Sequence, residues 1–220
     1  MTTAAVFGCT GAVGSQILAT LLATDAISSV KTVSRRFPNA QSPKLQALEE
    51  GDISKWGGMI ASLSPKPSLV FNAVGTMRAT AGGLENQWKI DHDLGIENAR
   101  AAKEAGVKTY VFISSGGTRG FFSRYVPYSK MKIGVEDTIK ELDFEHAIPE
   151  ARSDPRKRES QSFIVGEHRG KPKQAGSGHP GYDRAAVAAA RMAKEGKAPS
   201  KYWVVEQADI VKLGRDEWKE

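Results

Sequence analysis

Tyr128 and Lys132 stand four residues apart, a spacing that puts both on one face of a helix. Ser114 and Ser115 lie fourteen and thirteen positions upstream of the tyrosine. A hydroxyl, a phenol and an ammonium in that order could move a proton to or from a substrate oxygen. Tyr128 would be the acid and base, Lys132 would favour its phenolate through positive charge, and a serine would hold the oxygen. Taken singly, Tyr-x-x-x-Lys also fits a plain helix with an exposed lysine.

A second group of residues suits a phosphate. Gly8, Gly11 and Gly14 fall between an apolar run and a helical pattern. A chain that turns tightly there can approach a diphosphate without a Cβ in the way and aim helix N–H groups at its charge. Thr10 could add a hydroxyl donor. After the second strand comes Ser34-Arg35-Arg36, with no acid beside it. NAD sites place a carboxylate there for the ribose hydroxyls, whereas NADP sites place a cation beside the 2′-phosphate. Arg35 and Arg36 therefore predict NADP, a guanidinium matching phosphate in charge and geometry; a solvated basic turn is the bland alternative. Asp52 could reach the adenine, Asn72 could pin a neighbouring loop, and Asn98 would lie on a long helix near the cofactor. Cys9 reads as a small spacer within the glycine turn. His92, His146, His168 and His179 lack ligand spacing, so no metal site is expected.

These residues need strands and helices in alternation, and the pattern supplies them. Ala4–Phe7 reads as the first strand, followed by a helix through about Ala23. Ser29–Ser34 reads as the second strand, Phe37–Pro43 as a loop, and Lys44–Glu49 as a short third strand. Ser68–Val74 is a buried-looking strand. A long helix is predicted over Leu84–Ala105, with Ile90, Leu94, Ala101 and Ala105 on one face and Gly106 as its stop. Thr109–Ser114 is a strand, Ser115–Pro127 a loop, and Tyr128 to about Leu142 a helix. Arg184–Glu195 is an alanine-rich helix, Tyr202–Glu206 a strand, and a last helix runs from about Ala208. This is an α/β, Rossmann-like, doubly wound parallel sheet in a single nucleotide-binding domain.

The stretch 149–184 breaks the rhythm. It holds Pro149, Pro155, Pro172 and Pro180, is rich in glycine and charge, and has Phe163-Ile164-Val165 as its one apolar cluster. Its composition predicts a flexible segment within the domain, because so little apolar surface can offset the entropy of ordering it.

Composition narrows the partners. The chain has 220 residues, enough for one substantial core, and a net charge of +6 spread without a long basic block. No stripe of Lys and Arg interleaved with aromatics suggests nucleic acid. Attraction to an anionic membrane or to phosphate ligands is compatible with the charge. A single cysteine gives no internal disulfide, and no apolar run approaches the ~20 residues of a spanning helix. Ala4-Ala5-Val6-Phe7 already reads as a strand, so a cleaved leader is not expected.

Gly8-Cys9-Thr10-Gly11-Ala12-Val13-Gly14, Asn72-Ala73-Val74-Gly75-Thr76, Val111-Phe112-Ile113-Ser114-Ser115-Gly116 and Tyr128-Ser129-Lys130-Met131-Lys132 together resemble atypical short-chain dehydrogenase/reductases. Within that superfamily the chain is similar to the fungal "found in mitochondrial proteome" proteins, relatives of the human Tat-interacting oxidoreductase-like protein. The likeness covers about 3–148 and resumes at about 184–220. It implies NADP(H) binding that also involves Val13, Ala73 and Gly75, and a small-molecule substrate not identified by the motifs. It further implies peripheral placement on the cytosolic face of the outer mitochondrial membrane. A non-catalytic NADPH-binding regulatory protein, or an epimerase-type enzyme, would carry the same motifs. Relatives continue past His146-Ala147-Ile148 with a strand and a Leu-Arg-Pro-Gly turn, where this chain has Pro149-Glu150-Ala151-Arg152. The departure predicts that 149–184 lack that strand and substrate lid, either through divergence or through a frame-shifted translation.

Overall fold

The computed structural model describes residues 2–116, 118–120, 123–150, 181–216 and 218. The strands are β1 (Thr2–Phe7), β2 (Ile27–Ser34), β3 (Leu45–Glu49), β4 (Leu69–Asn72), β5 (Thr109–Ile113) and β6 (His146–Glu150). They form one parallel sheet in the order β3-β2-β1-β4-β5-β6. β1 is buried along its whole length. Alternation sends Ala4 and Val6 to one face and Ala5 and Phe7 to the other.

Helices cover both faces. On the Ala4/Val6 side lie α1 (Ala12–Ala23) and α7 (Tyr182–Lys194), which contribute Ile17, Leu18, Leu21 and a run of buried alanines. Small side chains on α7 let it sit close to α1, and Thr20 Oγ1 donates to Asp183 Oδ2 at 2.5 Å between them. On the Ala5/Phe7 side lie α2 (Trp56–Ser62), α5 (Leu94–Glu104) and α6 (Pro127–Glu141), contributing Trp56, Ile60, Ala99, Val135 and Ile139. Each large aliphatic so buried contributes about 1.5–3 kcal/mol. The fold is thus the expected doubly wound parallel sheet, and its order reverses direction between β1 and β4. Ligands of such sheets bind outside the carboxyl ends of the strands at that point.

Several boundaries differ from the sequence reading, each for a local reason. The long helix is continuous but not uniform: α3 (Arg78–Ala81) precedes α4 (Leu84–Trp88), which passes through a π-helical turn at Lys89–Asp93 into α5. Of the expected stripe Leu94 and Ala105 are buried and Ile90 and Ala101 only half-buried, while Gln87, Asp91, Asn98 and Ala102 complete the buried face. α2 was not anticipated, because Gly57 and Gly58 argue against a helix. Gly57 lies against α5, with Ala101 Cβ 3.4 Å from where its own Cβ would stand.

β6 also was not anticipated, and it corrects the expectation that 149 and 150 leave the fold. Pro149 is tolerated because it lacks an N–H only on the flank away from β5. On that flank Ala147 N–H donates to Lys201 O, and Trp203 and Val205 N–H donate to Ala147 O and Pro149 O. The missing proline donor interrupts this ladder. Tyr202–Glu206 therefore makes isolated bridges at Tyr202 and Val205 and is not a strand. Residues 181–184 join the start of α7, so they too belong to regular structure. Residues 151–180, the bulk of the atypical segment, lie outside the described residues. The last helix, α8 (Gln207–Val211), runs into a second π-helical turn at Lys212–Asp216.

Candidate functional site

The glycine turn is packed backbone on backbone. Gly8 has φ +77°, and a Cβ there would stand 2.6 Å from Ala73 O at the end of β4. A Cβ on Gly14 would stand 2.2 Å from Gly8 O. Gly11 N–H donates to Gly8 O at 3.0 Å and N-caps α1. No side chain caps α1 and no acid occupies its first turn, so its N–H groups and positive dipole end face outward. Thr10 is exposed beside them, while Val13 is half-buried and packs into the core as an anchor for the helix.

A cavity of about 280 Å³ joins this turn to the end of β2. Its lining includes Cys9, Thr10, Ser15, Arg36, Phe37 and Ala40, and among the described residues no carboxylate. Ser34 Oγ donates to Arg36 O at 2.7 Å, which fixes the turn that brings the second arginine round. Arg35 is exposed and does not line the cavity, so the structure separates two residues that the sequence treated alike. Phe37, 64% exposed, and Ser15 were missed. The available signal was an aromatic placed directly after the arginines, with no apolar periodicity to bury it. Asp52 is exposed beyond β3. Its Oδ1 accepts from Ser54 N and Oγ, and these bonds lower its pKa; it does not line the cavity.

The loop after β4 is held from below. Asn72 is fully buried; its Nδ2 donates to Tyr110 Oη at 3.0 Å and its Oδ1 accepts from Val74 N at 3.1 Å. Asn72 therefore pins the loop, as expected. Two residues on one helix face clasp Thr76: its N–H donates to Asp91 Oδ2 at 3.0 Å, and its carbonyl accepts from Gln87 Nε2 at 3.2 Å. This fixes the loop whose Ala73 lies against the glycine turn. A Cβ at Gly75 would meet Asp91 Oδ1 at 3.1 Å and Lys132 Nζ at 3.8 Å.

Lys132 is buried with its ammonium 3.6 Å from Asp91 Oδ1. It donates to Ile113 O at 3.4 Å and lies 4.8 Å from the Phe112 ring centre and 5.9 Å from that of Tyr128. Burial pushes the Lys132 pKa down and Asp91 opposes the shift. Burial likewise pushes the Asp91 carboxyl up, against the pull of Lys132 and the Thr76 amide. Tyr128 is 37% exposed, so its ring bridges the buried ammonium and solvent. Ser114 is buried and its hydroxyl donates to Glu136 Oε1, while Arg119 holds Glu136 Oε2 at 3.0 Å. Ser115 is half-buried and closer to solvent. Asn98, two turns along from Asp91, is fully buried, and its amide makes no hydrogen bond among the described residues. The structure thus sets Lys132 beside Tyr128 and against the carboxyl end of β5, where Ser114 follows Ile113. It adds Asp91 and Glu136, which sequence reasoning missed because acids on buried helix faces look like surface charge.

The sequence pattern of the NAD dependent epimerase/dehydratase family matches residues 4–138. "Protein fmp52-2, mitochondrial" of Aspergillus oryzae is 74% identical over 229 residues, covering all of both chains. "Protein FMP52, mitochondrial" of Chaetomium globosum is 51% identical over 98% of each. Among solved structures, MoeE5 in complex with UDP-glucose and NAD matches with a TM-score of 0.64 and 16% identity, over 98% of this chain and 81% of that one. The Bordetella bronchiseptica enzyme WbmH in complex with NAD+ matches with a TM-score of 0.56 and 18% identity, over 74% and 63%. These structural likenesses carry the fold. Among the described residues, no helix is long and apolar enough to cross a membrane.

Proposed function

The chain belongs to the NAD dependent epimerase/dehydratase family and groups with the fungal FMP52 proteins, and from that premise we propose an NADP(H)-binding oxidoreductase of the atypical short-chain type. Its substrate would be a carbonyl compound or an alcohol. The observation that carries the reading is the cavity linking the uncapped N-terminus of α1 to Arg36, with no carboxylate among the described residues that line it. The cradle fits a dinucleotide: Gly8 and Gly14 leave backbone room for a diphosphate, Thr10 adds a hydroxyl, and Arg36 suits a 2′-phosphate. Exposed Phe37 offers a flat apolar face for the adenine.

Once bound, the nicotinamide supplies hydride chemistry. Tyr128, half in solvent, gives or takes the proton at the substrate oxygen. Lys132 sets its nitrogen 5.9 Å from the tyrosine ring centre, and Asp91 opposes the loss of its charge to burial. Ser115, whose side chain is nearer to solvent than that of Ser114, orients the substrate oxygen. A non-catalytic reading is favoured by one observation: the Ser114 hydroxyl is already donated to Glu136.

Calorimetry with NADPH and NADH tests the cofactor half. A charge-assisted contact contributes about 1.5–3 kcal/mol, so Arg36→Ala should cut the preference for NADPH more than tenfold and Arg35→Ala much less. Equal affinity for both cofactors in the unaltered protein would refute the proposal. Tight NADPH binding without turnover across a carbonyl panel would favour the regulatory reading, and substrate-driven redox cycling of retained cofactor the epimerase one. The relatives' mitochondrial names support placement at mitochondria, and we place the protein peripherally on the outer membrane's cytosolic face. Alkaline carbonate should then release it from isolated mitochondria, and retention in the pellet would argue for an anchor.

A further inference from the structure

The opposite edge of the sheet carries a second, larger cavity, of about 600 Å³. It runs beneath the N-terminal ends of five strands, where Thr2, Ile27, Leu69, Thr109 and His146 line it. The glycine turn, Asn72 and Ser114 all stand at the other ends of the same strands, so this space is separate from the site already described. Its size falls within the ~300–1,000 Å³ of small-molecule sites.

Its walls and its mouth differ in chemistry. Ala19 and Ala23 of α1, Ile27 and Leu69 of the sheet, and Val187 and Ala190 of α7 make an apolar trough. Arg184, Arg191 and Lys194, all on α7, line it together with Lys108. The guanidiniums of Arg184 and Arg191 lie 6.0 and 5.7 Å from the ring centre of Trp218, and Lys194 Nζ donates to Thr2 Oγ1. Against these four cations stands, among the described lining residues, one carboxylate, Glu145, which Lys108 meets at 3.0 Å; Asp183 lies behind Thr20 and accepts its hydroxyl. The carbonyl ends of α1 and α7 also point this way, and the last-turn cations of α7 offset their partial negative charge. Apolar walls call for an alkyl chain, and the cationic rim calls for an anion at its end.

We propose that this cavity binds a single-chain anionic amphiphile, an alkyl chain ending in a carboxylate or a phosphate. The chain lies along the alanine faces of α1 and α7, and the head meets Arg184, Arg191 and Lys194. A free fatty acid and a membrane lipid headgroup share this chemistry. The site does not depend on the cofactor reading.

Displacement of dansyl-undecanoate fluorescence from the full-length protein tests it. Saturable binding is expected, with displacement by dodecanoate and dodecyl phosphate, at least about tenfold weaker displacement by dodecanol, and none by inorganic phosphate. Ala23 is exposed on the cavity wall, so Ala23→Trp should fill the trough without touching the core and abolish binding. Should that variant melt early, the double change Arg184→Glu with Arg191→Glu reads the rim instead, weakening dodecyl phosphate about tenfold or more while sparing dodecanol. Vesicles of phosphatidylcholine with and without phosphatidic acid separate the sources. Competition by the anionic vesicles alone assigns the headgroup, and competition by dispersed amphiphile alone assigns the free acid. Absence of saturable binding, equal displacement by dodecanol, or undiminished binding in folded Ala23→Trp would overturn the proposal.

Discussion

Replacing Gly14 with Ala isolates the packing demand of the glycine turn. The new methyl would stand 2.2 Å from Gly8 O, 2.7 Å from Gly8 C and 3.2 Å from Cys9 Cα. All three are backbone atoms, so no side chain can swing away; α1 must retreat from β1. Forced overpacking of this kind costs roughly 1–3 kcal/mol. At about 2–4 °C of melting temperature per kcal/mol for a chain of this size, the midpoint should fall by roughly 2–12 °C. Gly11→Ala is the control. Its Cβ meets only Gly8 O, at 3.3 Å, and its φ of −81° suits any residue. The cost there is the poorer N-cap, about 0.5–1 kcal/mol. Gly8→Ala adds left-handed strain of about 1–2 kcal/mol to a contact of 2.6 Å with Ala73 O. Thermal and urea unfolding of the three variants, with NADPH calorimetry on each, should rank Gly11 mildest and Gly8 most severe. A Gly14→Ala protein as stable as Gly11→Ala would refute the backbone-contact argument, whatever the cofactor.

Tyr128→Phe should abolish reductase turnover while leaving NADPH affinity within about threefold, since the phenol moves the proton and does not hold the diphosphate; full activity in that variant would remove the mechanism. Asp91→Asn keeps an acceptor for the Thr76 amide but leaves the buried Lys132 ammonium with only the more distant Glu136 carboxylate to offset its charge, at a cost approaching the roughly 3–5 kcal/mol of breaking a buried pair. Because burial lowers the folded pKa of Lys132, the unfolded chain holds more protons between that value and about 10.4. The variant should therefore recover stability as pH rises from 7 toward 10; urea midpoints that fall over that interval would contradict the assignment.

The glycine turn was legible because its constraints act on local backbone. A turn that needs Gly8 at positive φ and Gly14 against Gly8 O leaves a fixed spacing in the sequence. The parallel sheet was legible for a similar reason, since strands buried on both faces, such as Leu69–Asn72 and Thr109–Ile113, read as apolar runs. β6 was not, because one proline in five residues is a strong argument against a strand until the neighbour on each flank is known. The difference between Arg35 and Arg36 was also invisible. It depends on which way the chain turns after Ser34, and the Ser34–Arg36 hydrogen bond decides that.

The helix over 84–104 shows where reading by hydrophobic period fails at a site. Its apolar residues suggested a buried stripe through Ile90 and Ala101, yet the residues that face inward include Gln87, Asp91 and Asn98. Each polar side chain placed there costs desolvation, and Asp91 carries the charge as well. Gln87 and Asp91 meet that cost by holding both backbone groups of Thr76, and Asp91 by facing Lys132. The π-helical turn at Lys89–Asp93 contains Asp91 and inserts an extra residue into the helical repeat. The face still repeats at helical spacing through Leu94, but a pattern drawn from apolar residues alone passes over its polar members. The same turn sets the loop bearing Ala73 and Gly75 against the glycine turn on one side and Lys132 on the other. One irregular turn of helix thus links the loop beside the glycine turn to Lys132, and residues that disrupt the apolar pattern are the ones that make the link.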